Sequence, residues 1–461
     1  MRTVDVGVLL DEGRASGYQT LLVGAMALAI ILDGVDTQLL GNAIPALIRD
    51  WSLPRGAFTT VLALGPLGMM VGGAIGGILG DRIGRRTALL TSVLSFAVFT
   101  LAIAAVNSVT MLGLFRFLSG LGLGGAMPNA AALASEYVPR RHRAFAVTLT
   151  IVCFPLGGML AALLSAQVLP MYGWRTLFVA GGLLPIALAI GLFPLLPESP
   201  KYLATRPNRW AELTRMLRRL GHDVPADAAF VEAGTGERVK SRASMRDLFV
   251  SSFRLDTLGL CGAFFFGLMA NNIGVLYIPV MLTAAGFTQA VASNALAAWN
   301  FGGVAGAVLG ALIIQRLGSR TTMLTLSGIA LASALAMATL PPDPQDTFQL
   351  IVLLVLLGGA LNAVLTTMYA LAANVYPTEI RGTGIGTAVA MGRLGMVLAS
   401  YVGDFALDAG GPPAYFSTLV VAMIIVFGSL AIVRRHIEAS TANVGSAFRR
   451  TNPAKAGSHK L

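Results

Sequence analysis

Ile31-Leu32-Asp33-Gly34-Val35-Asp36-Thr37-Gln38 places two carboxylates inside an otherwise apolar run from about Leu21 to Leu47. Such a run is long enough to cross a bilayer, whose ~30 Å hydrocarbon core takes roughly 20 helical residues. An ionised Asp at mid-membrane costs on the order of 2.5–3.5 kcal/mol even on insertion scales. The i,i+3 spacing sets both acids on one helix face. A helix that frayed early would leave them at the water border. Against that, Leu39 to Leu47 stays mostly apolar, and Arg49-Asp50-Trp51 marks the border instead. The pair is expected to be buried, to face a polar cavity and to be functional.

Composition agrees with a membrane chain. Hydrophobic residues make up 55%, charged residues 12%, and the mean hydropathy is +0.74, values foreign to a soluble globular protein. The net charge of +11 sits in short clusters between apolar blocks without aromatic interleaving, so nucleic acid is not an expected partner. Cys153 and Cys261 fall in apolar blocks with no partner spacing, which suggests neither a disulfide framework nor a metal site. His142, His222, His436 and His459 all lie outside the blocks, against an intramembrane metalloenzyme. No cofactor is expected. Residues 1–20 lack the basic start, short apolar core and cleavage site of a removable signal peptide.

Apolar blocks recur at about 21–47, 57–80, 87–106, 109–135, 144–168 and 174–196. They resume at about 253–282, 288–314, 321–340, 347–373, 382–406 and 413–433. The pattern predicts an all-α integral membrane protein with twelve transmembrane helices in two pseudo-symmetric six-helix bundles. The expected organisation is a cytoplasmic N-tail (1–20), bundles at 21–196 and 253–433, a cytoplasmic connector (197–252) and a cytoplasmic C-tail (434–461). With both termini cytoplasmic, Arg2, Arg14, Arg82, Arg85, Arg86, Arg140, Arg141, Arg143, Arg316, Arg320 and Arg381 fall inside. Only Arg49, Arg55 and Arg175 fall outside. Within the connector, Trp210 to Leu220 has the pattern of a short amphipathic helix on the inner leaflet, beside the plainer expectation of a solvated link. The polar C-tail is expected to be disordered.

The halves echo each other. Gly80-Asp81-Arg82-Ile83-Gly84-Arg85-Arg86-Thr87 follows the second block and Ile314-Gln315-Arg316-Leu317-Gly318-Ser319-Arg320-Thr321 the eighth, an offset of 234. Val138-Pro139-Arg140-Arg141-His142-Arg143 after the fourth block pairs with Tyr376-Pro377-Thr378-Glu379-Ile380-Arg381 after the tenth, an offset of 238. Duplicated units of this kind place a site at the midplane of many transporters and rock about it.

Helical rise sets Asp33 and Asp36 roughly 14 and 9 Å inward of Asn42, and Arg116 roughly 9 Å deep from the same side. A buried Arg stays charged and needs an anion, so Asp33 or Asp36 is its expected partner. Arg393 lies roughly 18 Å in from the cytoplasmic side, with no acid on its own helix before Asp404, three turns away. It is expected to bind a carboxylate, or else to lock the two halves together. Burial favours a protonated Asp and a nearby guanidinium an ionised one, so substrate on the arginine can switch the acid's charge. Gln38, Asn129, Asn271, Asn272, Trp299, Asn300 and Tyr369 are candidate substrate-cavity residues, with helix-to-helix hydrogen bonding an equal alternative for each. Asp81 beside Arg82, Arg85 and Arg86, between Gly80 and Gly84, suits a gate latch.

Gly80-Asp81-Arg82-Ile83-Gly84-Arg85-Arg86 resembles the signature loop of the major facilitator superfamily. Asp33-Gly34-Val35-Asp36 with Gln38, and Arg116-Phe117-Leu118-Ser119-Gly120-Leu121-Gly122-Leu123-Gly124-Gly125-Ala126-Met127-Pro128-Asn129, resemble its aromatic acid:proton symporter family. Glu136-Tyr137-Val138-Pro139 and Pro197-Glu198-Ser199-Pro200 fit as well, so the likeness spans nearly the whole chain. The resemblance implies proton-driven uptake of hydroxybenzoate-like acids across a bacterial inner membrane, by a monomer that uses only its substrate, protons and the bilayer. It implies coupling at Asp33 and Asp36, essential arginines at Arg116 and Arg393, and gating at Asp81. Glu136, Arg143, Arg316, Arg320, Glu379 and Arg381 are read as gating residues of the matched loops. Gln315 departs from the family, which usually carries an acid there. A carrier of another organic anion, an exporter, a membrane-embedded enzyme and a non-transporting sensor are the competing expectations. Against the enzyme stand the missing intramembrane His and Ser/His pair.

Overall fold

The structure is a computed structural model that describes residues 3–12, 16–222, 224–225, 229–231, 245–250, 253–340, 342–344, 347–377 and 380–439. Strand β1 (Thr3–Asp5) and helix α1 (Val6–Glu12) lead into α2 (Gly17–Trp51), α3 (Thr59–Ile83), α4 (Arg85–Ile103), α5 (Val109–Tyr137) and α6 (Arg140–Leu195). The connector holds α7 (Pro200–Ala204), α8 (Trp210–Arg219) and β2 (Ala229–Val231). Then come α9 (Arg254–Ala284), α10 (Gln289–Thr339), α11 (Thr347–Val375) and α12 (Arg381–Ile432).

Among the described residues, nine helices are long and apolar enough to cross a membrane. Three of them are two helices joined across a kink. Gly173 (φ 74°) divides α6, Gly318 (φ 76°) divides α10, and Gly410 with Gly411 (φ 61°) divides α12. A left-handed backbone suits glycine, which has no Cβ to clash. The architecture is therefore consistent with the twelve spans expected, three of the joins having shrunk to one or two glycines.

Ser16 starts α2 through a reciprocal capping box with Gln19, whose side-chain amide also donates to the Tyr137 carbonyl at 2.7 Å. Within the first half α3 packs on α5 and α2 on α6; within the second, α9 packs on α12 and α10 on α11. The halves meet where α2 touches α9, α3 touches α12 and α6 touches α10. Contact between α3 and α5 is backbone to backbone: a methyl at Gly72 or Gly124 would overlap a carbonyl oxygen of the facing helix. Small residues permit such approach where no hydrophobic drive acts between helices in lipid.

One apolar core joins both halves at the end of the molecule that carries Trp51, linking Leu39, Ile44 and Phe58 to Tyr277, Ile278 and Leu296, and continues through the second half to Val375, Tyr376 and Val433. A second core belongs to the first half at the opposite end, the Gly84 end, and includes Leu22, Phe96, Leu133 and Tyr137. That second core also takes up Leu213, Met216 and Leu217 of α8, so the helix lays its apolar face on protein and not on a leaflet. The N-tail is likewise docked, β1 pairing in parallel with β2 from Thr3 opposite Ala229 to Asp5 opposite Val231. The C-tail beyond Ala439, with the disorder expected of it, lies outside the described residues.

Candidate functional site

Asp36 is fully buried on α2. Arg116 of α5 meets its carboxylate at 3.0 Å and also donates to the backbone carbonyls of Asp36 (3.3 Å) and Thr37 (2.9 Å). Thr100 of α4 donates its hydroxyl to the other Asp36 oxygen. A Cβ at Gly65 would stand 2.9 Å from the Arg116 Nε, so a glycine on α3 makes room for the guanidinium. Four helices thus close around one ion pair whose hydrogen-bonding capacity is largely used. Of the two partners that sequence offered Arg116, the geometry selects Asp36.

Asp33, one turn earlier, has a different setting. Its carboxylate is 1% exposed, and its Oδ1 accepts no hydrogen bond among the described residues. It lines a cavity of about 150 Å³ between the halves. Arg393 of α12 lines the same cavity from the other side. Its guanidinium reaches over Gly73 of α3, where a Cβ would overlap it, and donates to the Met69 carbonyl at 2.8 Å. Among the described residues Arg393 has no carboxylate within ion-pair distance. Between these two charges the wall is mostly apolar: Met69, Met127, Phe154, Pro155, Leu268 and Met396. Polar groups enter from Asn271, Asn362, Thr366 and Tyr369, with Asn362 donating to Asn271 at 3.3 Å and the Tyr369 ring edge-on to Phe264.

Both acids are expected to face one polar cavity, and only Asp33 does. Asp33 and Arg393 line the cavity; Asp36 and Arg116 form a closed pair beside it. Other expected cavity residues also stand elsewhere. Asn129 spends its amide on the carbonyls of Gly76 (3.0 Å) and Gly125 (2.8 Å), bridging α3 to its own helix. Asn272 donates to the Met396 carbonyl at 2.8 Å, and the buried Trp299 ring fills the space left by Gly274 and Gly358. Gln38 and Asn300 exchange amide hydrogen bonds of 2.9 and 2.8 Å across the halves. Asn271 and Tyr369 do face the cavity.

The side-chain hydrogen bonds seen between the halves among the described residues lie at the level of Arg393 or nearer the Trp51 end. Besides Gln38 with Asn300, the Gln289 amide donates to the Asn42 carbonyl at 3.1 Å. Arg55 pairs with Asp404 at 2.7 Å and also with Asp408, and the Thr59 hydroxyl donates to Asp404 at 2.6 Å. Sequence reading missed this latch. Its only signal was a second arginine, Arg55, in the outer loop after α2 and an acid, Asp404, three turns from the one arginine inside its own apolar block. At that end the cavity is sealed.

At the Gly84 end the expected gate residues are tied within the first half. Asp81 pairs with Arg85 at 2.6 Å, the Arg86 amide donates to Glu198 at 2.9 Å, and the Arg82 carbonyl accepts from Tyr202 and Arg206. Gly84 has φ 102°, and a Cβ there would overlap the Glu198 carboxylate. Gly80 sits under the Asn129 side chain with no room for a Cβ. Ser199 donates to Glu136, and Arg143 contacts the Ser135 carbonyl (3.0 Å) and Asp11 of the N-tail (2.5 Å). Gln315, Arg316, Arg320 and Arg381 are exposed, Arg381 donating to the Tyr376 carbonyl at 3.3 Å. Glu379 lies outside the described residues. Glu198, of the Pro197–Pro200 motif, is buried against this turn, a role that its motif alone does not signal.

A family model described as sugar (and other) transporter matches residues 17–441. A gallate transporter of Pseudomonas putida is 32% identical over 420 residues, covering 90% of this chain and 92% of that protein. The 4-hydroxybenzoate transporter PcaK of Pseudomonas aeruginosa is 33% identical over 411 residues, covering 88% and 90%. The xylose transporter XylE from E. coli, in a partially occluded inward open conformation, superposes with a TM-score of 0.71. At 16% identity over 91% of this chain and 99% of that one, it shows a common fold. This chain is a multi-pass membrane transporter of the major facilitator superfamily, in its sugar (and other) transporter family, and belongs there to the aromatic acid:proton symporters whose motifs it carries.

Proposed function

With that membership as premise, we propose that the chain imports benzoate- and hydroxybenzoate-like carboxylates by proton symport and alternating access. The observation that carries this is the placement of Asp33 and Arg393, unpaired, on opposite walls of one mostly apolar cavity. A guanidinium fork without a carboxylate partner is matched to a carboxylate ligand. A volume of about 150 Å³ is the size of apolar cavity that takes up a benzene ring. The two relatives named above, transporters of gallate and 4-hydroxybenzoate, support an aromatic acid as substrate.

In this cycle both termini and the Gly84 end face the cytoplasm of a bacterial inner membrane, and the chain works as a monomer in lipid. The bundles at 21–196 and 253–433 rock about the cavity. Outward opening breaks the Arg55–Asp404 latch, and a proton then neutralises Asp33, which otherwise stands charged in a poorly hydrated site. The substrate carboxylate takes the Arg393 guanidinium away from the Met69 carbonyl. Return to the inward state re-forms the latch, and cytoplasmic water receives the anion and the proton. Asp36 with Arg116 holds α2, α4 and α5 together throughout.

A carrier of another organic anion, or an exporter, would use the same two charges. Counterflow in proteoliposomes with benzoates, phenylpropanoates and aliphatic dicarboxylates separates these. Exchange of labelled 4-hydroxybenzoate driven by benzoates supports the proposal; exchange driven only by the aliphatic acids overturns it.

A further inference from the structure

Away from the transport cavity, a second cavity of about 300 Å³ opens at the Gly84 end, between α8 and the ends of α2 and α6. Its wall includes Tyr18, Arg86, Phe193, Glu212, Arg215 and Arg219. Three guanidinium groups therefore meet one carboxylate, and Glu212 is already taken by Arg209 through contacts of 3.0 and 2.8 Å. Arg86 lies over the Phe193 ring at 5.0 Å and donates to the Phe193 carbonyl, yet its buried Nε has no hydrogen-bond partner among the described residues. The Arg215 Nε makes only a 3.3 Å bond to the Ala211 carbonyl of its own helix. Such a cavity is an anion site without an anion.

Its position selects the kind of anion. Phe193 is 66% exposed and Ile190, one turn earlier on the same helix, 68%. On a membrane-spanning helix those side chains face lipid. Phe193 therefore stands at the border where acyl chains give way to head groups, with Arg86 directly above it. A basic pocket at that level on the cytoplasmic side suits the phosphate of an anionic lipid. Guanidinium groups bind phosphate oxygens by charge-assisted, often paired hydrogen bonds.

We propose that this cavity binds a phosphate group, supplied by the head group of an anionic phospholipid of the inner leaflet. The lipid would clamp the connector helix α8 to the ends of α2 and α6. The inward placement of the Gly84 end is taken from the proposed function; the choice of substrate is not needed. Arg215 and Arg219 are exposed and belong to no part of the transport cavity, so the Arg215→Gln/Arg219→Gln double variant tests the site without disturbing the fold.

The thermal unfolding midpoint of the full chain in an uncharged detergent is followed during titration with dioctanoyl phosphatidylglycerol, dioctanoyl phosphatidylcholine, sn-glycerol 3-phosphate and inorganic phosphate. Phosphatidylglycerol is expected to raise the midpoint, and the double variant to need about tenfold more of it, one lost charged hydrogen bond being enough for that factor. The midpoint without any added lipid should be the same in both proteins, which shows the variant folded; a variant with a lowered midpoint is replaced by Arg215→Lys/Arg219→Gln. If phosphatidylcholine works as well as phosphatidylglycerol, or the folded variant titrates like the wild type, the proposal is overturned. Glycerol phosphate or inorganic phosphate matching the lipid at equal concentration would uphold the phosphate site and overturn the lipid as its source.

Discussion

Two acid–arginine couples share helix α2 and its neighbours, three residues apart, and they are built differently. Asp36 meets Arg116 at 3.0 Å, with Thr100 and two backbone carbonyls completing the set. Asp33 and Arg393 face the same cavity without pairing, the acid with a bare Oδ1 and the arginine leaning on a carbonyl of the opposite half. A saturated buried pair has nothing left to give a ligand, and separating it leaves a stranded charge. An unsaturated couple is costly as it stands and is relieved by a proton on one side and a carboxylate on the other. Satisfaction, more than charge or depth, tells a structural ion pair from a working one.

The sharpest way to break this comparison is to neutralise one member of each couple separately. Asp33→Asn is expected to abolish uphill accumulation of 4-hydroxybenzoate in energised vesicles while counterflow persists; full proton-driven uptake would remove Asp33 from coupling. Arg116→Leu, by contrast, should act on stability, because stranding one partner of a buried pair costs about 3–5 kcal/mol. The Asp36→Leu/Arg116→Leu double variant should regain part of that loss, as apolar replacement of a whole buried pair is often neutral. Denaturant unfolding of the wild type, Arg116→Leu and the double variant measures it, and a double variant no more stable than Arg116→Leu would dissolve the pair. Next in size is Arg393→Gln: losing charged hydrogen bonds to the substrate carboxylate should weaken binding by about 1.5–3 kcal/mol, read by substrate titration of the purified protein. Unchanged affinity would make Arg393 a lock between the halves.

Smallest is the latch. Arg55 and Asp404 are partly exposed, 21% and 13%, where an ion pair is worth about 1 kcal/mol at most. Arg55→Gln should nonetheless populate the outward state more, raising the labelling rate of a cysteine at Thr283, in a Cys153→Ser/Cys261→Ser background, by up to about fivefold. An unchanged rate would leave the seal to the apolar core and the Gln38–Asn300 pair.

Much of this was legible in the sequence because bilayer length and helical rise are simple rulers. They found the apolar spans, and the two-fold echo of Gly80–Thr87 in Ile314–Thr321 was plain beside them. Rotation of one helix against another is not encoded in spacing, and there the reading ran out. It offered Arg116 either acid, and it left Asn129, Asn272 and Trp299 open between the cavity and helix-to-helix contact, where each in fact packs helix on helix. It had no means of joining Arg55 to Asp404, 349 positions on. Met69, Phe154 and Met396 escaped notice because an apolar cavity wall and a lipid-facing surface have the same composition.

The central claim is that Asp33 takes up a proton when Arg393 takes the anion. Calorimetric titration of the purified protein with 4-hydroxybenzoate, in buffers of different ionisation enthalpy at one pH, reads that proton directly. The account predicts net proton uptake on binding by the wild type and none by Asp33→Asn. Equal uptake by the two proteins, or binding by the wild type with no proton at any pH where it transports, would contradict it.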